Sequence, residues 1–236
     1  MRGRRKFGVL VGVLAVVFAV LTSINIGQAR SVRPAERGPI AAHSAASGSG
    51  APASASRSSG TPGGGGVLIV YFSRSGSHYG GRNFKVGNTA HVAQFIHQRV
   101  GGDLYQIVPA VPYPEDYDQT VEQARKEQED GVHPKIAGEQ PDTDRYSTIF
   151  LGYPIWWGEQ PMIVQTFMQD HNLNGKTVIP FTTDEGSGWG NSLDVLKQYY
   201  PQARILDGFE KRGNDVADDL DGTQRQVNDW LEGLGY

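Results

Sequence analysis

After an apolar run at Val67–Ser73 the chain reads SRSGSHYGGRNFKVGNT, up to the start of a helical pattern at Asn88. Hydroxyls stand at Ser73, Ser75, Ser77 and Thr89, with glycines at Gly76, Gly80, Gly81 and Gly87. Hydroxyls and free backbone N–H groups gathered at a helix N-terminus make an anion site, and phosphate is the natural occupant. The plainer alternative is that Asn88 or Thr89 only caps the helix. The segment is not a P-loop, because no G-x-x-x-x-G-K-[ST] is present. Nor is it a dinucleotide fingerprint, because no G-x-G-x-x-G follows the apolar run.

Two further stretches carry chemistry. GYPIWWGEQP, Gly152–Pro161, sets two adjacent tryptophans behind a proline that ends a strand. A Trp at a sheet edge offers a flat face for a planar ring, although two tryptophans burying themselves over the core is the simpler reading of the pair alone. TTDEGSGWGNS, Thr182–Ser192, holds Gly186, Gly188 and Gly190 beside hydroxyls and Trp189. Its glycines let backbone approach a ligand, or simply make a turn before the helix near Asn191. Ser187 is not a nucleophile elbow, since Glu185 stands where G-x-S-x-G needs glycine.

These stretches have to be brought together by regular elements. VLIVYFS, LYQIV, STIFLGYP, KTVIPFTT and ARILDGF read as five strands, the first of them buried on both faces. Helical patterns lie between and after them, from Asn88, Tyr117, about Pro161, Ser192 and Thr223. Such alternation predicts a doubly wound α/β domain with right-handed crossovers. Ligands bind at the carboxyl ends of the strands in these sheets, which is where the three stretches fall. The run DVADDLDG, Asp215–Gly222, lacks EF-hand order and is read as an acidic loop.

Composition narrows the class. Residues 1–66 carry eight Lys/Arg against one Glu, a net of +7, and the remainder carries 14 basic against 24 acidic residues, a net of -10. An acidic folded domain argues against nucleic acid as a partner. With no cysteine, thiol chemistry, disulfides and iron–sulfur clusters are excluded. The six histidines form no H-x-x-x-H or H-E-x-x-H pattern, so no metal is expected.

The N-terminus reads as an address. Arg2, Arg4, Arg5 and Lys6 precede an uncharged apolar run, and Gly27 and Ala29 follow at signal-peptidase spacing. Residues 1–29 are therefore expected to be an export signal or, if uncleaved, a membrane anchor, with the folded domain outside the cytoplasm. Arg4-Arg5-Lys6-Phe7 resembles a twin-arginine core. Residues 30–66, rich in Ala, Ser, Gly and Pro, read as a flexible tether, and the globular domain spans 67–236.

Together, VLIVYFSRSG…VGNT, FLGYPIWWG, VIPFTTDEGSGWGNS and the PYPEDYD stretch resemble the flavodoxin-like family, specifically its short-chain branch of bacterial FMN-binding flavodoxins. The resemblance implies a single α/β domain with a five-stranded parallel sheet in the order 2-1-3-4-5. It also implies FMN held non-covalently. The phosphate would sit among Ser73, Ser75, Asn88 and Thr89, with backbone amides of the intervening chain, Arg74 and Gly87 included. The ring system would lie between Pro154, Ile155, Trp156, Trp157 and Gly158 on one side and Thr183, Asp184, Glu185, Gly186, Ser187 and Gly188 on the other. Trp156 is the first choice for stacking, with Trp157 close behind. The family needs no basic side chain for the phosphate. The insertion Ser77–Val86 departs from the shorter pattern of many flavodoxins, reads as a loop folding over the site, and puts Ser75's contact in doubt. No catalytic acid is evident, which favours chemistry carried by the flavin alone. The implied function is electron transfer or reduction of a small quinone-like acceptor, with donor and acceptor unspecified. A non-catalytic flavodoxin-like binding module at the cell envelope is the alternative.

Overall fold

The structure, a computed structural model, describes residues 66–236. The expected signal and all but the last residue of the expected tether lie outside the described residues. In chain order the elements are β1 (Gly66–Tyr71), β2 (Gly76–Ser77), β3 (Asn83–Phe84), α1 (Asn88–Val100), β4 (Asp103–Gln106), α2 (Tyr117–Asp130), β5 (Tyr146–Pro154) and α3 (Met162–Asp170). They continue with β6 (Thr177–Asp184), α4 (Ser192–Tyr199), β7 (Arg204–Ile205), β8 (Phe209–Arg212), α5 (Gly213–Asp218) and α6 (Leu220–Leu234). β1 begins at Gly66, one residue ahead of the sequence reading, where it pairs with Tyr146.

The main sheet is parallel, in the order β4-β1-β5-β6-β7, and β8 pairs with β6 beyond β7. Counting β7 and β8 as one interrupted strand, this is the expected 2-1-3-4-5 order. Both faces are covered, which is why the strands read as near-continuous apolar runs. Leu68, Val70, Ile149, Leu151 and Tyr153 pack with α3 and α4. Ile69, Tyr71, Phe150, Ile179 and Phe181 pack with α1, α5 and α6 on the other face.

The interruption of the fifth strand has a cause in β6. Val178 faces Ile205, while Phe181 faces Phe209. Three steps along β6 are thus matched by four along the edge, which is a bulge of one residue. Pro180 stands opposite it. The Leu206 N–H donates to the Val178 carbonyl at 3.0 Å, so Val178 turns its backbone groups to this edge, and Pro180, two residues on, does the same. Pro180 has no N–H to give, and a proline inside a sheet is accommodated at a bulge.

DVADDLDG is not a loop. Its first part forms α5 and its end opens α6. Val216, fully buried, supplies the one apolar anchor of α5, and the Asp219 carboxylate caps α6 by accepting the Gly222 N–H at 2.7 Å. The insertion Ser77–Val86, expected as a loop, likewise contains regular structure. β2 and β3 pair as an antiparallel hairpin, tied to α5 by an Arg82–Asp218 ion pair of 2.7 Å.

Candidate functional site

The carboxyl ends of β1, β5 and β6 meet at one cleft of about 390 Å³. Its first wall is the turn from β1 into α1. The Ser73 hydroxyl accepts the Ala90 N–H at 3.1 Å, and the Thr89 and Thr183 hydroxyls are 2.8 Å apart, joining α1 to the end of β6. Neither Asn88 nor Thr89 caps the helix. Gly87 is the N-cap residue and caps with no side chain of its own; the Ser73 hydroxyl takes the Ala90 N–H from outside the helix, and the N–H groups of Asn88 and Thr89 meet no side chain among the described residues. That leaves N–H groups at the positive end of the helix dipole free for an anion. A Cβ on Gly87 would lie 2.2 Å from the Arg74 carbonyl oxygen and 2.3 Å from the Ser73 Oγ, so this close approach of two chain segments requires glycine.

Arg74 lines the cleft but its guanidinium is committed elsewhere. Nη2 donates to the carbonyls of Pro114 and Glu115, both at 2.6 Å, and Nε donates to Pro114 at 3.2 Å. Nη1 donates to the Ser77 carbonyl. The side chain is a strut between the β1–α1 turn and the segment leading into α2. Burial pulls its pKa down, against the raising effect of Asp116 and Glu115.

The second wall is the tip of the β5–α3 connection. Trp156 and Glu159 exchange both backbone hydrogen bonds, at 2.9 and 3.1 Å. Trp157 and Gly158 are therefore the two central residues of a tight turn, with φ of +50° and +82°. Positive φ at both positions is the signature of a type I′ turn, which suits glycine or asparagine and strains a tryptophan. Among the described residues Trp157 is the one non-glycine with positive φ. It is also 52% exposed, and its indole N–H donates to the Val121 carbonyl at 2.9 Å. Trp156 is held differently, perpendicular to the rings of Phe72 and Tyr113 at centroid distances of 5.4 and 5.1 Å. Both tryptophans line the cleft.

The third wall is the end of β6. The buried Asp184 accepts the N–H groups of Gly186 and Gly188 on Oδ1, at 2.6 and 2.9 Å, and so shapes the glycine-rich loop. Its Oδ2 is buried without a donor among the described residues. The Glu210 carboxyl, one strand over, is pushed above the usual range by its contact with the Asp184 carboxyl and then by burial. Burial also raises Glu185, which accepts the Asn214 N–H at 3.1 Å.

Of the residues singled out in the sequence, Ser73, Arg74, Asn88, Thr89, Pro154, Ile155, Trp156, Trp157, Thr183, Asp184, Glu185 and Ser187 line the cleft. Gly87, Gly158, Gly186 and Gly188 shape its loops without lining it, and Ser75 is exposed outside it. Trp189, the aromatic of the glycine-rich stretch, packs over Gly208 outside the cleft lining. Not singled out in the sequence are His78 and Tyr79 of the insertion expected to fold over the site, Gly213 at the start of α5, and Tyr117, Thr120, Val121 and Ala124 from α2. The last four follow the three- and four-residue spacing of one helix face, which was the available signal.

A family model described as Flavodoxin matches residues 66–233. The chain belongs to the flavodoxin family. Among solved structures, one from Bacteroides eggerthii assigned as a flavoprotein is 32% identical, covering 73% of this chain and 99% of that one with a TM-score of 0.57. A second, from Bacteroides uniformis and also assigned as a flavoprotein, is 29% identical over 72% and 99% of the two chains, with a TM-score of 0.58. A comparison with curated proteins finds no match.

FMN is the cofactor the family implies, and the residues fit it. The uncapped first turn of α1 with the Ser73 and Thr89 hydroxyls suits a phosphate. The buried, donor-free amide oxygen of Asn88 suits a polyhydroxyl chain. The exposed indole of Trp157 suits a flat ring.

Proposed function

We propose that the chain is an FMN-binding redox protein that carries electrons or reduces a small quinone-like acceptor. The observation that carries this reading is the convergence of an uncapped helix N-terminus, a strained exposed tryptophan and a glycine-rich loop on one cleft. Bound FMN would supply one- and two-electron redox chemistry. The protein's part is to hold the phosphate on α1, keep the ring against the β5–α3 turn, and surround it with Asp184 and Glu185. Those carboxylates disfavour negative charge on the ring and so lower its reduction potential. Purified protein should be yellow or should take up added FMN, and the bound flavin should be reducible by dithionite. A colourless protein that refuses FMN would falsify the reading. Bound flavin that no donor or acceptor oxidises or reduces would instead favour a non-catalytic module.

The tryptophans should separate cleanly. Strained backbone held in place at a cleft marks a ligand clamp, so Trp157 is assigned the stacking face and Trp156 the supporting wall. Trp157→Gly relieves the turn while losing one hydrogen bond. Ligand-free stability should stay within about 1 kcal/mol of the parent, while FMN affinity falls about tenfold. Trp156→Ala should cost about 2–3 kcal/mol of stability instead. Denaturant titration and flavin fluorescence quenching give both numbers, and the reverse ranking would exchange the two roles.

We also propose that the domain works outside the cytoplasm, on the strength of the basic and apolar N-terminal segment. Replacing Arg4 and Arg5 with lysine should abolish export. Undiminished export of flavin-loaded protein would remove the twin-arginine route.

A further inference from the structure

Among the described residues no free guanidinium lines the phosphate end of the cleft, since Arg74 is bonded to four backbone carbonyls. It does have a histidine. His78 sits on the β2–β3 hairpin and lines the cleft together with Ser73, Asn88 and Thr89. Its Nε2 is 3.0 Å from the Arg74 carbonyl oxygen. A carbonyl can only accept, so Nε2 carries the proton, and in the neutral ring Nδ1 is left as a lone pair. The ring is held by this bond and by tilted packing on Phe84 at 4.9 Å. The carbonyl that fixes His78 is the one 2.2 Å from where a Gly87 Cβ would lie. His78 and the N-terminus of α1 therefore flank the same peptide.

We propose that His78 is a proton-dependent ligand for a phosphomonoester seated at the N-terminus of α1. This rests on the reading of the cleft as an FMN site. With the cleft empty of anion the imidazole is neutral near pH 7, because burial and the Arg74 charge both lower its pKa, against the raising effect of its bond to the Arg74 carbonyl. A phosphate reverses the balance by favouring the imidazolium, which then donates from Nδ1 as well. Binding is thus coupled to proton uptake, and affinity rises as pH falls through the range between the two states. The other charges around the ring are Arg74, Arg82 over Phe84, Glu115 and Asp116 beside Arg74, and Asp184 and Glu185 across the cleft. Of the groups that line the cleft, His78 is the one whose ordinary pKa lies between those of the carboxylates and the tyrosines.

The experiment compares FMN, riboflavin and inorganic phosphate on the whole chain between pH 5.5 and 8.5. The phosphate's own second ionisation is common to parent and variant, so the difference between them isolates the histidine. FMN should bind the parent about tenfold more tightly at the acid end, relative to His78→Gln, corresponding to a one-unit shift of one group. Riboflavin should show no such difference. Calorimetry of the unmutated protein in buffers of differing ionisation enthalpy should show proton uptake with FMN and none with riboflavin, whether or not the variant folds. Competition by inorganic phosphate that disappears in His78→Gln would show that the free anion uses the same ligand. Parallel pH profiles for parent and variant, or FMN binding without proton uptake, would overturn the inference while leaving the FMN site standing. Failure of both flavins to bind at every pH would overturn the site itself.

Discussion

Gly87→Ala should lower FMN affinity by at least about a hundredfold, ~2.7 kcal/mol. The backbone there is at φ -72° and ψ 153°, which alanine adopts without strain, so the effect is one of space alone. The added carbon would have to stand 2.2 Å from the Arg74 carbonyl oxygen and 2.3 Å from the Ser73 Oγ. Those two atoms cannot give way independently. The Ser73 Oγ holds the Ala90 N–H, and the Arg74 backbone is braced by its own guanidinium on the Pro114 and Glu115 carbonyls. The turn must open, separating the hydroxyl from the helix end. Gly233→Ala in α6, where a Cβ meets nothing within 4 Å, is the control. It should leave FMN binding alone and raise stability by up to about 1 kcal/mol. Fluorescence titration and thermal melts decide the matter, and unaltered affinity in Gly87→Ala would remove this turn from the site.

The second large effect lies beneath the site. A Cβ on Gly152 would sit 2.1 Å from Cζ of Phe181, a ring with no exposed surface. Gly152 pairs with Tyr71 on one side and Phe181 on the other, so neither strand can retreat. Gly152→Ala should cost about 3 kcal/mol, or roughly 6–12 °C in melting temperature for a domain of this size. Shrinking the ring should return part of the loss. Phe181→Leu alone is expected to destabilise by about 1–2 kcal/mol, yet the double variant should be more stable than Gly152→Ala. Simple addition of the two losses would show that the ring is not what the new methyl meets.

The sequence made the frame legible because buried parallel strands are apolar on both faces, as VLIVYFS and STIFLGYP show without help from any neighbour. The three loops followed, since a doubly wound sheet binds at its carboxyl edge. What stayed hidden had weak or misleading local signals. Strands of two residues, as in the β2–β3 hairpin, have no periodicity to detect, so Ser77–Val86 reads only as a loop over the site, and His78 and Tyr79 are not singled out within it. In DVADDLDG one buried valine outweighs four aspartates, an outcome fixed by packing against α1 rather than by composition. Adjacent tryptophans look equivalent in a sequence. They diverge because the turn puts positive φ on one of them, and turn geometry is set by the pairing of Trp156 with Glu159.

The bulge opposite Pro180 gives the last strand two owners. Its first half, Arg204–Ile205, keeps register with the base of β6, while Phe209–Arg212 follows the tip of β6 and delivers Gly213 to the cleft. The three residues between act as a slack link in an otherwise taut ladder. Length changes in this link would slide the cleft-bearing half along β6 without unpairing the other. A protein of this plan can therefore be retuned at its binding edge by a one-residue deletion near Asp207, a kind of adjustment that a continuous strand, bonded rung by rung, would refuse.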